Sequence, residues 1–251
     1  MSKKLSVQIY SIRNVGDFDA QLALLQKVGF EWVETVATHD LSPAEFAAKL
    51  RRYGLGLSSM HASIAQVQHE RARLIEACKL TGCTLVVMPY LLMADRPRSA
   101  KGWADLGRLL DGVGKAFAAE GIRFAYHNHE FEFLSYDGKT AMEWLLEAAD
   151  PKHLGWEADM GWVTRAGGDA KAWNARLGNR ILAVHAKDVA PEGQAMDEDG
   201  WATLGRGIVP WTELFPLLRE RTDLFVFEHD LPSDPEARLR DSLAFMKEQL
   251  A

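Results

Sequence analysis

The stretch Tyr126-His127-Asn128-His129-Glu130-Phe131-Glu132 sets imidazoles and carboxylates side by side at the end of the apolar run Ile122 to Tyr126. Such residues carry protons or hold cations, and a strand interior has no structural need of two imidazoles on one face. Side chains alternate along a strand, so His127 and His129 share one side and Asn128 and Glu130 the other. Three more apolar runs end in the same style. Asp159 closes His153–Asp159, His185 lies near the end of Ile181–Lys187, and Glu228 near the end of Leu224–His229. Adjacent strands lie about 4.8 Å apart, so side chains from consecutive strand ends can meet at one point. His127, Asp159, His185 and Glu228 would form a mixed nitrogen and oxygen set suited to manganese, zinc, iron or cobalt, with positions left open for a substrate. Lys187 shares a face with His185 and could stabilise a developing oxyanion; a salt bridge to Asp188 or Glu157 is the structural alternative. Glu157, one layer below Asp159, could orient a ligand or sit in an internal ion pair.

Positioning these groups requires a particular frame. Strand candidates are Leu5–Tyr10, Trp32–Val36, Leu55–Met60, Thr84–Met88, Ile122–Asn128, His153–Asp159, Ile181–Lys187 and Leu224–His229. Helix candidates fall near 17–28, 43–53, 66–81, 99–119, 140–149, 168–177, 210–220 and 234–250. Ser42-Pro43-Ala44-Glu45 reads as a capped helix start. Gly29, Gly54, Gly82 and Gly121 stand where a left-handed cap would end a helix. Strict strand–helix alternation implies a parallel sheet. Eight units in 251 residues predict an α/β fold, a single (β/α)8 TIM barrel spanning 1–251, rather than an open doubly wound sheet. No GxGxxG follows the first strand, so the dinucleotide fingerprint is missing. In a barrel, chemistry gathers at the carboxyl ends of the strands. Tyr10, Arg13, Glu34 and His61 then face the same rim as candidate substrate-binding residues. Trp162, Trp201 and Trp211 fall in the following loops, where flat rings would cover a sugar face. Asp188–Pro210 is the longest stretch without a predicted element, a candidate lid.

Composition narrows the classes. The chain has 29 basic and 35 acidic residues, a net charge of -6, with 47% apolar and 25% charged residues. That balance argues against nucleic-acid binding, which rests on clustered Lys and Arg. Cys78 and Cys83 read as reduced, semi-buried thiols. No uncharged run approaches the roughly 18 apolar residues of a membrane span, and Met1-Ser2-Lys3-Lys4 leads into a short strand rather than a secretory core. A cytoplasmic location without membrane contact is the expectation.

With those residues in view, the chain resembles the xylose isomerase-like barrel superfamily, in its sugar phosphate isomerase/epimerase branch. The matching segments are Gln8–Arg13, Gly29–Glu34, Tyr126–Glu132, Asp159–Trp162, His185–Asp188 and Leu204–Trp211. The resemblance implies one divalent metal, manganese foremost with zinc, cobalt, iron or magnesium as alternatives, held at the ends of strands 5 to 8. Asp159, His185 and Glu228 match those positions. His127 stands where a glutamate is common. The family's two-glutamate acid/base pair would therefore keep only Glu228, with His129, Glu130 or Lys187 as its partner. Arg206 stands where relatives often have an acid and is a candidate substrate contact. The implied activity is metal-dependent isomerisation or epimerisation of a keto or aldo sugar, or a related polyol, through an enediolate. A lyase or hydratase acting on a 3-keto sugar or inosose is the alternative. The partner is a small carbohydrate, and rim tryptophans are compatible with a homo-oligomer closing the site. A nuclease of the endonuclease IV kind would need more ligands and a basic face, and a non-catalytic barrel would lack a working base or its metal.

Overall fold

The computed structural model describes residues 3–250; Met1, Ser2 and Ala251 of the predicted domain lie outside the described residues. Eight strands form one sheet: β1 (Lys4–Val7), β2 (Trp32–Val36), β3 (Gly56–His61), β4 (Leu85–Met88), β5 (Arg123–His127), β6 (Gly155–Asp159), β7 (Ile181–Ala186) and β8 (Leu224–Phe227). Neighbours in the sheet are neighbours in sequence, and β1 also pairs with β8, all in parallel. Between β1 and β2 the ring closes through a single parallel bridge, Gln8 to Glu34. Gln8 Nε2 donates to Glu34 Oε1 across that seam at 2.8 Å. The predicted TIM barrel is the observed architecture.

β1, β5, β7 and β8 end one to three residues before their apolar runs do, because the last residues turn into the rim loops, whereas β2, β4 and β6 end where the sequence places them and β3 runs one residue further. Two register shifts bear on the site. One extra residue is accommodated in β3 against Val33/Glu34, and one in β7 against Trp156/Glu157. Bulges of this kind re-aim the side chains that follow, here Ser59 and His61 on β3, and Ala183 and His185 on β7. Beneath them Leu85, Val87, Ala125, Ala183, Leu224 and Val226 fill the barrel interior. The large side chains Phe124, Tyr126, Trp156, Phe225 and Phe227 pack in the separate core with Trp103, Phe117 and Phe215 from the helices. Site residues therefore stand on a close-packed, largely apolar floor.

Three readings of the segments between the barrel strands need correction. The segment expected at 66–81 is two helices, Ile64–His69 and Arg71–Thr81. A Ser63/Gln66 capping box starts the first early, and Glu70, at φ -115° and ψ 16°, separates them. A helix over Met160–Arg165 was not foreseen; Asp159 starts it by accepting the Trp162 N–H at 2.7 Å. Asp188–Pro210 is not structureless, since Asp188–Val189 pairs antiparallel with Trp201–Ala202. The buried Asp188 carboxylate also gathers the N–H groups of Val189, Gly205, Gly207 and Val209 at 2.8–3.1 Å. Glu198 anchors the tip of this loop, accepting from the Ser233 N–H at 2.7 Å and from Arg238 at 2.9 Å. No helix among the described residues is long and apolar enough to cross a membrane.

Candidate active site

The carboxyl ends of β5 to β8 bring His127, Asp159, His185 and Glu228 together: one potential ligand atom from each lies within 4.8 Å of the others, and all four residues are buried. Asp159 pairs with His185 directly across β6 and β7, whereas His127 pairs with Glu157 one step lower. Asn128 fixes this arrangement rather than facing the pocket. Its Oδ1 accepts from Trp156 Nε1 at 2.7 Å and from the Asp159 N–H at 3.0 Å, and its Nδ2 donates to Asp159 O at 3.1 Å. Glu132 ties down the following loop, accepting from Tyr126 OH at 2.6 Å and the His129 N–H at 2.8 Å. Both motif residues thus have positioning work of their own.

Each of the four has a distinct environment. Asp159 uses Oδ1 as a helix cap, but Oδ2 is buried without a hydrogen-bond partner among the described residues. Burial, only partly offset by Lys187 and His185, pushes its carboxyl up to about 7. Burial and the neighbouring imidazoles hold His127 well below the usual histidine range, so it is a neutral nitrogen donor. His185 presents Nε2 to Glu34 at 2.7 Å and to Glu157 at 3.1 Å, while Nδ1 faces Glu228 at 3.2 Å and Asp159 at 3.9 Å. Against the effect of burial, Lys187 and His185 hold Glu228 well below the usual carboxylate range.

This donor set fits a divalent cation. Two imidazoles and two carboxylates match borderline metals, and an orphaned buried carboxylate oxygen costs about 1–3 kcal/mol or more unless something satisfies it. A hydrogen bond from His185 Nε2 to Glu34 would leave Nδ1 for the cation, in the manner of ligating histidines. A second group, His61, His127, Glu157 and His185, also converges within 4.8 Å. It is the poorer candidate because His61 Nε2 already lies 2.6 Å from Glu157 and 3.0 Å from Glu34. Its other ring nitrogen, Nδ1, faces Gln8 Nε2 at 3.0 Å, so both nitrogens of His61 are already engaged, and without a cation the surrounding carboxylates raise both His61, to about 10, and His185 against the effect of burial.

Above the cluster lies a half-open pocket of about 550 Å³ lined by Tyr10, Arg13, Val36, His61, Pro89, Tyr90, His127, His129, Trp162, Glu228 and Asp230. Five of the six predicted substrate contacts are accounted for as follows. Tyr10, Arg13, His61 and Trp162 line the pocket. Glu34 does not reach it, being fully buried and bonded to Gln8, Ser59 and His185. The sixth, Arg206, is carried out to the surface by the loop that Asp188 organises, and there it pairs with Asp241 at 3.3 Å. Of the predicted proton carriers, Glu228 and His129 line the pocket. Lys187 is buried beside it, 2.6 Å from Asp230 and 3.2 Å from Glu228, so neither Asp188 nor Glu157 is its partner. Glu130 is exposed outside the lining, because β5 ends at His127 and the next residues bend into a short 3-10 turn. Trp201 is fully buried against Trp162, at 4.6 Å between ring centroids. Trp211 is also buried, donating Nε1 to Lys187 O at 3.2 Å; neither ring covers the pocket.

Sequence reasoning missed Gln8, Ser59 and Asp230 as parts of this constellation. Asp230 had a legible signal, since it stands two positions after Glu228, the same parity that linked His185 to Lys187. The contacts of Gln8 and Ser59 had none, because they depend on barrel closure and on the β3 bulge. Gly161 is required where the Met160–Arg165 helix crosses Lys187; a Cβ there would lie 2.8 Å from Lys187 O and 3.0 Å from its Cβ.

Residues 22–249 match the model of a family described as xylose isomerase-like TIM barrel. Among solved structures, a sugar phosphate isomerase/epimerase from Parabacteroides distasonis ATCC 8503 superposes with a TM-score of 0.80 at 19% identity, covering 100% of both chains. The probable 3-DHS dehydratase AsbF of Bacillus anthracis, involved in petrobactin synthesis, gives 0.74 at 16% identity, covering 97% of this chain and 98% of that one. An IolI protein with a bound zinc atom gives 0.72 at 16% identity, covering 98% of each chain. At these identities the likeness is one of fold. No curated protein matches the chain significantly.

Proposed function

Because the chain belongs to the xylose isomerase-like TIM barrel family, we propose that it is a divalent-metal-dependent isomerase or epimerase of a keto or aldo sugar, or of a related polyol. The observation carrying this reading is the buried, unpartnered Asp159 Oδ2 within the His127, Asp159, His185 and Glu228 group. Those four residues would hold the cation, manganese foremost. The cation would supply Lewis-acid polarisation of a substrate carbonyl and its neighbouring hydroxyl, which acidifies the adjacent C–H.

The protein's own groups do the rest. Glu228 turns Oε2 toward His185 Nδ1 and Lys187, the side on which it would hold the cation, while Oε1 makes no hydrogen bond among the described residues and belongs to a pocket-lining side chain. Oε1 is therefore the atom assigned to take the carbon-bound proton. His129 lines the pocket, and burial and the nearby Lys187 charge lower it to about 3, so its ring is neutral near pH 7 and serves as a hydrogen-bonding partner for a substrate hydroxyl rather than as a base. Lys187 is held protonated by Asp230, Glu228 and Asp159 against the effect of burial, placing a fixed positive charge beside the developing enediolate. Glu34 and Glu157 orient His185 from below.

One feature favours a second reading, lyase or hydratase chemistry on a 3-keto sugar or inosose. The Lys187 ammonium, held beside Asp230 at the pocket, would hydrogen-bond to and stabilise a departing hydroxyl. Proton NMR in D2O with metal-loaded protein tests both readings on a panel of ketoses, inososes and 3-keto glycosides. Exchange of a carbon-bound hydrogen supports the shared first step, and the product distinguishes epimerisation from elimination. Purified protein that binds less than one equivalent of any divalent ion would sink the proposal.

A further inference from the structure

We infer that the amino-terminal mouth of the barrel, opposite the candidate active site, binds a small, multiply charged oxyanion bearing a phosphate group or two carboxylates. The parity that sends Gln8 and His127 to one rim sends Lys4 and Arg123 to the other. Lys4 shares its face with Ser6 and Gln8 along β1, and Arg123 shares its face with Ala125 and His127 along β5. Contacts inside the barrel fix both faces as inward. Ser6 Oγ lies 2.7 Å from Ser58 Oγ, and Ala125 packs among the residues that fill the interior.

A cavity of about 470 Å³ opens at this end, and its lining includes Lys4, Ser58, Thr84, Arg123, Arg221 and Asp223. It has no lining residue in common with the pocket above the ligand-type cluster. The apolar layer of Leu85, Val87, Ala183 and Val226 separates the two. Occupancy here is therefore independent of the reaction proposed at the other mouth.

Charge decides what the cavity suits. Its one carboxylate, Asp223, is engaged by Lys3 Nζ at 2.7 Å. Lys4, Arg123 and Arg221 make no ion pair among the described residues. Lys4 Nζ instead lies 4.0 Å from the Trp32 ring centre, which holds the ammonium without neutralising it. The whole chain carries a net charge of -6, so unpaired cations around one concavity concentrate positive potential where the rest of the surface repels anions. The two guanidinium groups supply planar donor pairs that match phosphate and carboxylate geometry. A singly charged ligand would leave cations unpaired, and a neutral one would leave all of them so. The three cations come from β1, β5 and the turn before β8, and an anion held between them would tie those elements together and stabilise the folded barrel by mass action.

The test is calorimetry on metal-loaded protein with two probes, inorganic phosphate and succinate, joined to amide NMR. One equivalent is expected to bind, and to bind more weakly as salt is raised. Arg123→Gln and Arg221→Gln, both at exposed side chains, are each expected to weaken binding by at least about tenfold. Thermal unfolding without anion should show both variants folded. The amide signals of Lys4, Thr84 and Arg123 are expected to shift, while those of His129 and Trp162 stay in place. Whichever probe binds more tightly assigns the phosphate or the dicarboxylate form. Saturable binding of neither probe overturns the inference. Binding that survives both substitutions overturns it too, and its loss in Arg13→Gln would then place the anion in the pocket at the other mouth.

Discussion

The two halves of the barrel contribute polar side chains to one buried region, yet they treat them in opposite ways. On the β1–β3 side, Gln8, Glu34, Ser59 and His61 satisfy one another. Glu34 alone receives hydrogen bonds from Gln8 at 2.8 Å, Ser59 at 2.5 Å and His185 at 2.7 Å. On the β5–β8 side, Asp159 Oδ2 and His127 Nδ1 are buried without partners among the described residues. The first half is a finished hydrogen-bonded scaffold, and the second is chemically incomplete. His185 joins them, with Nε2 held by Glu34 and Nδ1 turned to Glu228 and Asp159. Similar residue types therefore act as supports in one half and as candidate ligands in the other, according to whether the protein itself has satisfied them.

That contrast can be broken most directly at Glu228. Glu228→Gln is expected to lower turnover by about 10²–10⁴-fold at saturating cation, followed as hydrogen exchange by NMR; undiminished turnover would remove Glu228 from its assigned role. The supporting half should respond differently. Glu34→Gln is expected to weaken metal binding by about 10–100-fold while leaving turnover largely recoverable with excess cation. Unchanged affinity by calorimetry would show that Glu34 does not support the ligand set.

Outside the cluster, Gly207→Ala tests the loop that Asp188 organises, because a Cβ there would lie 2.2 Å from Asp188 Oδ1 and from Val189 O. A loss of about 1–3 kcal/mol in denaturant unfolding is expected. The scaffold also predicts a pH slope for the metal-free protein. His61 is raised from its ordinary 6.5 to about 10 by Glu34 and Glu157, against the opposing effect of burial. Its contribution is complete below pH 6.5, where both states bind the proton, and is lost as pH rises through 10. Unfolding free energy should therefore fall between those limits, and His61→Gln should flatten that part of the curve relative to the unaltered protein. The smallest effect is expected at Arg206. Its side chain is 71% exposed, so Arg206→Ala should change stability by less than about 0.5 kcal/mol and leave turnover unaltered.

Much of this organisation is legible in the chain because it rests on short-range periodicity. Apolar runs of strand length alternate with helical stretches, and residues of equal parity share a face. That is enough to align His127, Asp159, His185 and Glu228 at one rim. The same parity rule reaches Asp230 from Glu228. It fails where the backbone stops being a strand, as at Glu130, which turns out to solvent after His127. The reading of Trp201 and Trp211 as loop rings fails too, because Trp201 lies in a short strand and Trp211 opens the Trp211–Leu218 helix, and both pack into the core.

The sequence by itself determined the eightfold alternation, the parallel barrel that follows from it, and the meeting of four ligand-type residues at the strand ends. Only the tertiary structure decided which groups were already satisfied. Gln8 meets Glu34 through closure of the ring, Ser59 and His61 turn inward past the β3 bulge, and Lys187 finds Asp230 across two strands. The reason is physical. Parity is a local property of the backbone, whereas hydrogen-bond partnership and burial depend on residues far apart in the chain that become neighbours only when the barrel closes.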